Sequence, residues 1–197
     1  MRPVKDNRDY RMAVFGASNV GKSSLLLRFI EGRFRETYIP TIEDVYRKTI
    51  CCNEGGCSML ITDTTGAYQF PAMQRLWMTK GHAFIFVFSV IRKQSLEELV
   101  PIYEELCEIK DNLSEVPIIL VGNKSDKDCR EISEEEGLEM AKKWNCAYLE
   151  TSAKNNHNVT EIFQRILDME TRRQLSFTLN TQKVIKKKEK KKRCSIM

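Results

Sequence analysis

Gly16-Ala17-Ser18-Asn19-Val20-Gly21-Lys22-Ser23 reads G-x-x-x-x-G-K-S, and what stands on either side of it decides the fold. Before it runs the apolar stretch Met12-Ala13-Val14-Phe15. After it comes an amphipathic run carrying Leu25, Leu26, Phe29 and Ile30. Strand, glycine-bearing loop and helix, in that order, are the setting of a phosphate-binding loop. Glycine permits the sharp turn and lets backbone N–H groups come close to phosphate oxygens. Lys22 has the length to reach the β- and γ-phosphates, and the Ser23 hydroxyl can ligate Mg²⁺. The helix N-terminus adds its own attraction for anions.

Outward from this loop, Tyr10 to Gly16 is predicted as the first strand. Lys22 to Glu31 is the first helix, stopped by Gly32. Arg33 to Pro40 is a polar loop with Phe34 and Tyr38. Val45 to Cys52 and Cys57 to Asp63 flank the turn Asn53-Glu54-Gly55-Gly56. They form a hairpin, because the connection is too short for a crossover. Residues 67–81 are weakly helical. Ala83 to Val90 is a continuous apolar run with the length of a strand buried on both faces.

Ser95 with Glu98 has the spacing of a capping box opening the next helix, and Pro101 fits its first turns poorly. Val116 to Val121 is another buried strand. Ser133 with Glu136 repeats the capping-box spacing and opens a helix to about Lys143. Cys146 to Glu150 is the last strand. Asn158 with Glu161 caps a final helix, whose Val159, Ile162, Phe163, Ile166 and Leu167 form a core-facing stripe. The expected fold is α/β: a six-stranded, mostly parallel sheet with one antiparallel edge hairpin strand and helices on both faces. Ligands of such sheets sit beyond the carboxyl ends of the strands. The clusters after strand one, after Asp63, after Val121 and after Glu150 all fall there.

The chain has 197 residues, 42% hydrophobic and 30% charged, which suits one domain with a full core plus a tail. No apolar run approaches the ~20 residues of a membrane span, and the first residues form no apolar signal segment. Seven cysteines in that setting point to reduced thiols in the cytosol. Cys51, Cys52 and Cys57 lack zinc spacing and a His partner, so they read as strand and turn residues. His82 and His157 have no nucleophile partner and read as structural. The net charge of +5 is uneven: residues 183–193 hold eight Lys or Arg against one acid, a local +7, leaving about −2 elsewhere. A basic end on a near-neutral body suggests an acidic partner for the tail. The expected organisation is a flexible lead-in over 1–9, a nucleotide-binding domain over 10–173 and a basic tail over 174–197.

Asn123-Lys124-Ser125-Asp126 supplies a carboxylate at the ligand end of the sheet. One carboxylate can accept both the N1–H and the exocyclic N2 donors of guanine. Adenine presents an acceptor at N1 and leaves it unpaired, which is how a polar site rejects an analogue. Five motifs now stand in order: G-A-S-N-V-G-K-S, Y-I-P-T-I-E-D, D-T-T-G, N-K-S-D and T-S-A-K. This set resembles a small GTPase of the Ras superfamily, over residues 10–173. Tyr38-Ile39-Pro40-Thr41-Ile42-Glu43-Asp44 resembles the effector loop of the Ras branch. D-T-T-G, with Phe70-Pro71-Ala72-Met73-Gln74-Arg75 and Lys80-Gly81-His82-Ala83-Phe84, resembles the Di-Ras subfamily.

The resemblance implies a P-loop G domain that binds GTP or GDP with Mg²⁺. Ser18, Asn19, Val20, Gly21, Lys22, Ser23 and Ser24 would cradle the phosphates. Ser23 and Thr41 would hold Mg²⁺, with Asp63 reaching it through water. The Gly66 N–H would face the γ-phosphate and Phe34 would pack against the base. Asn123 and Asp126 would recognise guanine, Lys124 would pack along it, and Ser152, Ala153 and Lys154 would complete the pocket. Residues 36–44 and 63–80 would be two switches, held by the γ-phosphate and released on hydrolysis. Catalysis would fall to Lys22, Thr41, Gly66 and the residue after it.

That residue is Ala67, where the family carries a Gln that orients the attacking water. Ala67 has no hydrogen-bonding group, and Gln69 could replace it only if the backbone shifted. Ser18 and Asn19 stand where glycines are usual. A Ser18 side chain would project toward the space of the water and of an incoming arginine finger. Asn19 is tolerable if its position needs a left-handed backbone. Binding motifs are intact and the departures fall on hydrolysis, so tight GTP binding with slow intrinsic and stimulated hydrolysis is expected. The alternative is that another group positions the water and turnover is merely modest.

Cys194-Ser195-Ile196-Met197 is a C-a-a-X box, and its Met suggests farnesylation of Cys194. One lipid chain gives marginal binding, and basic residues near an anionic leaflet add ~1 kcal/mol each. The expectation is a monomeric switch at the cytoplasmic face of the plasma membrane. It would engage Ras-type effectors and an exchange factor, and no nucleic acid. Ile39 stands where an acid is more usual in the effector loop, which bears on partner choice. One rival is a non-hydrolysing, permanently GTP-bound effector scaffold, separated by turnover. Another is a P-loop ATPase or nucleotide kinase, which Asp126 argues against.

Overall fold

The computed structural model describes residues 9–37, 39, 41, 43–52, 55–64, 66 and 71–172, without the side chains of 50–52 and 55–57. Tyr38, Pro40, Ile42, Ala67, Gln69 and the tail with Cys194 lie outside the described residues. Six strands form one sheet in the order β2-β3-β1-β4-β5-β6. They are β1 (Tyr10–Phe15), β2 (Glu43–Cys52), β3 (Gly55–Thr64), β4 (Ala83–Ser89), β5 (Ile118–Asn123) and β6 (Ala147–Thr151). Only β2 runs antiparallel, paired with β3 from Glu43↔Thr64 to Cys52↔Gly55. All other pairings are parallel. The expected fold class is therefore the observed one.

Both faces are covered, which is why the inner strands read as unbroken apolar runs. On one face Met12, Val14, Ile85, Val87 and Val121 pack against Leu25 and Leu26 of α1 (Lys22–Glu31). The helix over 159–172 closes the same face through Val159, Ile162, Phe163 and Ile166. On the other, Phe15, Phe84, Phe86 and Leu120 pack against Met78 of α2 (Pro71–Lys80), Leu99, Ile102 and Leu106 of α4 (Leu99–Ile109), and Ala141 of α5 (Glu134–Lys143). Alternation along β4 sends Phe84, Phe86 and Phe88 to this second face and Ile85 and Val87 to the first. Burying one such side chain is worth roughly 1.5–3 kcal/mol.

Several local readings change. Ser95 does not cap a helix from outside. It is buried within the short helix α3 (Gln94–Glu97), accepts from the Ser89 N–H at 3.0 Å and donates to the Arg92 carbonyl at 2.6 Å. Its hydroxyl serves the turn after β4, so the S-x-x-E spacing was coincidental. The helix breaks at Glu98 and restarts two residues ahead of Pro101, which then sits in a first turn where its missing N–H costs little. Ser133 and Glu136 do form a reciprocal capping box at α5. Asn158 precedes the final helix with φ 55°, and its side-chain amide donates to the Glu150 carbonyl at 2.9 Å. β2 starts at Glu43 rather than Val45, and β5 runs through Asn123 instead of ending at Val121.

Candidate nucleotide site

Every carbonyl from Gly16 to Gly21 is taken by a protein donor. Lys22 Nζ donates to Gly16 O at 2.9 Å and to Ala17 O at 3.0 Å. Arg92 Nη2 donates to Ser18 O at 3.0 Å and Lys124 Nζ to Asn19 O at 2.7 Å. Asn123 Nδ2 holds Val20 O at 2.8 Å, and Leu25 N–H takes Gly21 O at 2.9 Å as α1 begins. A carbonyl oxygen facing a phosphate is repulsive. With all six engaged elsewhere, the loop's N–H groups are the polar groups free to meet an anion, at a helix N-terminus.

The loop geometry depends on residue types that the sequence singles out. Asn19 has φ 61°, the left-handed conformation that asparagine tolerates best after glycine. Gly21 has φ 101°, and a Cβ there would lie 2.2 Å from Asn123 Nδ2. Only glycine leaves room for the Asn123–Val20 bond. Gly66 lies against the loop: a Cβ on it would stand 2.4 Å from both the N and the Cα of Ser18. The D-T-T-G glycine and the phosphate loop thus meet at Ser18.

A cleft of about 1040 Å³ opens over this loop. Ser18, Asn19, Gly21, Lys22, Ser23 and Ser24 line it, as do Phe34, Thr41 and Gly66. Asn123, Lys124, Asp126, Ala153 and Lys154 complete the lining. Of the expected effector loop, Ile39, Glu43 and Asp44 also reach the rim. Val20, Asp63 and Ser152 belong to the expected set yet stand behind the lining. Val20 fills the core, and the other two act on groups that do line the cleft.

Ser23 Oγ and Thr41 Oγ1 are 2.8 Å apart, although 18 residues separate them. Asp63 is fully buried, and neither carboxylate oxygen has a hydrogen-bond partner among the described residues. Burial lifts its pKa to about 6, against the pull of the Ser23 hydroxyl and the Lys22 ammonium and with a push from Asp44. Asp44 is its register partner across the hairpin. Two hydroxyls beside an unsatisfied buried carboxylate are hard oxygen donors that fit Mg²⁺. Lys22 is buried too, and desolvation lowers its pKa to about 8, with Asp63 raising it and Arg92 lowering it.

At the other end Asp126 Oδ1 accepts from Ser152 Oγ at 2.6 Å, and Ser152 Oγ accepts from the Asn155 N–H at 3.0 Å. Ser152 therefore orients the carboxylate rather than meeting a base itself. Asn123 plays a tying role. Besides holding Val20 O, its Oδ1 accepts from Thr151 Oγ1 at 3.2 Å and from the Ala153 N–H at 3.3 Å. One buried side chain thus joins three loops. Arg28 was invisible to motif reading: it donates to Ala153 O, Lys154 O and Gly32 O at 2.8–2.9 Å, fixing α1 to the T-S-A-K loop. A basic residue in a last helical turn beside a C-capping Gly32 was the only sequence signal for it.

The phosphate loop, the hydroxyl pair with Asp63, and the N-K-x-D carboxylate stand around one cleft on a sheet of order 2-3-1-4-5-6. A family model described as the Ras family matches residues 11–172. The chain belongs to the Ras family. As a Ras-superfamily small GTPase it resembles the Di-Ras proteins over nearly its whole length. It is 54% identical over 197 residues to "GTP-binding protein Di-Ras2" of Pongo abelii, covering 98% of this chain and 99% of that one. It is 53% identical over 196 residues to "GTP-binding protein Di-Ras1" of Homo sapiens, with the same coverage. "GTP-binding protein drn-1" of Caenorhabditis elegans is 54% identical over 192 residues, 96% of this chain and 87% of that one.

Proposed function

We propose that this Ras-family GTPase is a membrane-anchored switch that holds GTP or GDP with Mg²⁺ and hydrolyses GTP slowly. The observation that carries the nucleotide reading is Asn123, whose one side chain locks the phosphate loop to the base loop. Asp126 accepts the two adjacent donors of guanine, held in place by Ser152. Ser23 and Thr41, with Asp63 behind them, would hold Mg²⁺, which when bound neutralises charge on the β- and γ-phosphate oxygens. Lys22 supplies a buried ammonium to the same phosphates, and Phe34 and Lys124 flank the base.

Slow hydrolysis follows from what stands where water must be placed. Ser18 lines the cleft, and its backbone lies against Gly66, so a side chain at this position would project toward the approach of water and of an arginine finger. Ala67, the next residue, offers no hydrogen bond to that water. Residues 38–44 would meet Ras-type effectors, with Ile39 62% exposed at their centre, and an exchange factor would act on both switches. The +7 run and farnesylated Cys194 would hold a monomeric protein at the cytoplasmic face of the plasma membrane. A second reading, a scaffold that never turns GTP over, draws on the same Ser18 and Ala67.

The test is the nucleotide carried by the protein when isolated from cells, with Cys194→Ser fractionated in parallel. Predominantly GTP, with the variant shifted from membrane to soluble fractions, supports the proposal. Predominantly GDP contradicts slow hydrolysis, and unchanged fractionation contradicts the lipid anchor.

A further inference from the structure

Among the six loop carbonyls, the one at Ser18 is held in its own way. Gly16, Ala17 and Asn19 are served by the motif lysines Lys22 and Lys124. Ser18 O is served by Arg92, which belongs to none of the five motifs and reaches it across 74 residues of chain. The turn that presents Arg92 is tightly fixed. Its N–H bonds Ser89 O at 3.0 Å, and its carbonyl accepts from Ser95 Oγ at 2.6 Å and from Ser95 N–H at 3.0 Å. Ser95 is fully buried and also engages the Ser89 N–H, so α3 is pinned to the end of β4.

Two further observations bear on what Arg92 does. Its Nε is buried without a hydrogen-bond partner among the described residues, so its position is dictated by something other than full satisfaction of its donors there. Its charge also reaches both Lys22 and Lys124 and disfavours their ammonium forms. A cation that repels two neighbouring lysines on one loop is costly alone and favourable beside a polyanion. Arg92 is absent from the cleft lining, so its guanidinium acts on the loop from behind.

We propose that Arg92 is a positioning residue for nucleotide retention: by pinning the Ser18 peptide it keeps the phosphate loop in its binding form. The need is greatest here, because the next residue, Asn19, is a non-glycine held at φ 61°. The inference rests on the phosphate loop holding a guanine nucleotide. It concerns release of that nucleotide, and base choice stays with Asp126 and Ser152.

The test measures dissociation of a fluorescent GDP analogue from the full chain carrying Arg92→Gln or Arg92→Lys. Loss of a charge-assisted hydrogen bond predicts release about tenfold or more faster for Arg92→Gln. Arg92→Lys, which keeps a cationic donor, should stay within about threefold of wild type by the same reasoning. GTP-over-ATP preference should change less than about twofold, since Arg92 bonds Ser18 O and not Asp126, whose carboxylate is held by Ser152. Equal release from Arg92→Gln and wild type overturns the proposal, as does Arg92→Lys matching Arg92→Gln. GTP-over-ATP preference lost in step with faster release would also overturn it, showing general disruption. If Arg92→Gln is not recovered folded, Arg92→Lys decides by whether it retains nucleotide at near wild-type rate. Wild-type protein that binds no analogue at all contradicts the nucleotide reading itself, a distinct outcome.

Discussion

Replacing Asn123 by aspartate changes one NH₂ for one oxygen and leaves shape and volume almost untouched. The carboxylate can still accept from Thr151 Oγ1 and the Ala153 N–H. What it loses is the donor to Val20 O, 2.8 Å away in a buried setting. The lost bond is worth about 1 kcal/mol net, and a buried carbonyl left unsatisfied costs about 1–3 kcal/mol more. Asn123→Asp should therefore destabilise the protein by about 2–4 kcal/mol at neutral pH. Urea unfolding followed by circular dichroism at saturating GDP should show a midpoint lower by about 1–2 M, taking a slope near 2 kcal/mol/M. GDP release should accelerate in parallel, because Val20 anchors the phosphate loop.

The sign of the pH dependence follows from the same geometry. Burial and the facing carbonyl raise the pKa of the substituted carboxylate, and its protonated form regains a donor. The variant's deficit relative to wild type should grow as pH rises from the ordinary aspartate pKa to the raised one, level off above it, and shrink again as pH falls through it. A midpoint within about 0.3 M of wild type at neutral pH, where 2–4 kcal/mol is expected, would refute the tying role. So would a deficit that widens on acidification.

Two further expectations are independent of that bond. Ser152→Ala removes the hydroxyl that orients Asp126, and GDP affinity should fall about tenfold or more with ATP binding unaffected; titration of both nucleotides checks it, and a change under about twofold contradicts it. Burial pushes the Cys146 thiol up to about 11, whereas Cys107 and Cys129 are exposed. Iodoacetamide at pH 8 should modify Cys107 and Cys129 well before Cys146 by peptide mapping. Because the folded pKa is raised from 9.0, this thiol favours the folded state below pH 9 and loses that contribution as pH rises toward 11.

Most of the fold and much of the site were legible in local patterns. The apolar run Ala83 to Val90 could only be a strand covered twice, and the short turn after Cys52 forced the antiparallel edge. A left-handed need at Asn19 and the stop at Gly32 were written in residue type. What stayed hidden was contact across distance. Arg92 and Arg28 sit in no motif, and their partners are backbone carbonyls 74 and 125 residues away, which side-chain patterns do not encode. Ser95 showed a capping spacing, but burial turned its hydroxyl toward Ser89 and Arg92. Asn123 was expected at the base and does line the cleft, but its bonds to Val20, Thr151 and Ala153 were not readable from the motif. The groups that meet a ligand were visible from chemistry, whereas the groups that hold those in place emerge only from packing.

Slow hydrolysis, proposed from Ser18 and Ala67, is tested most directly by single-turnover loss of the γ-phosphate from GTP-loaded protein. Wild type should turn over well below the roughly 10⁻⁴ s⁻¹ scale of an ordinary Ras protein, and Ser18→Gly with Ala67→Gln should raise the rate about tenfold or more. Wild-type turnover at the ordinary rate, unchanged by the double substitution, would contradict the account.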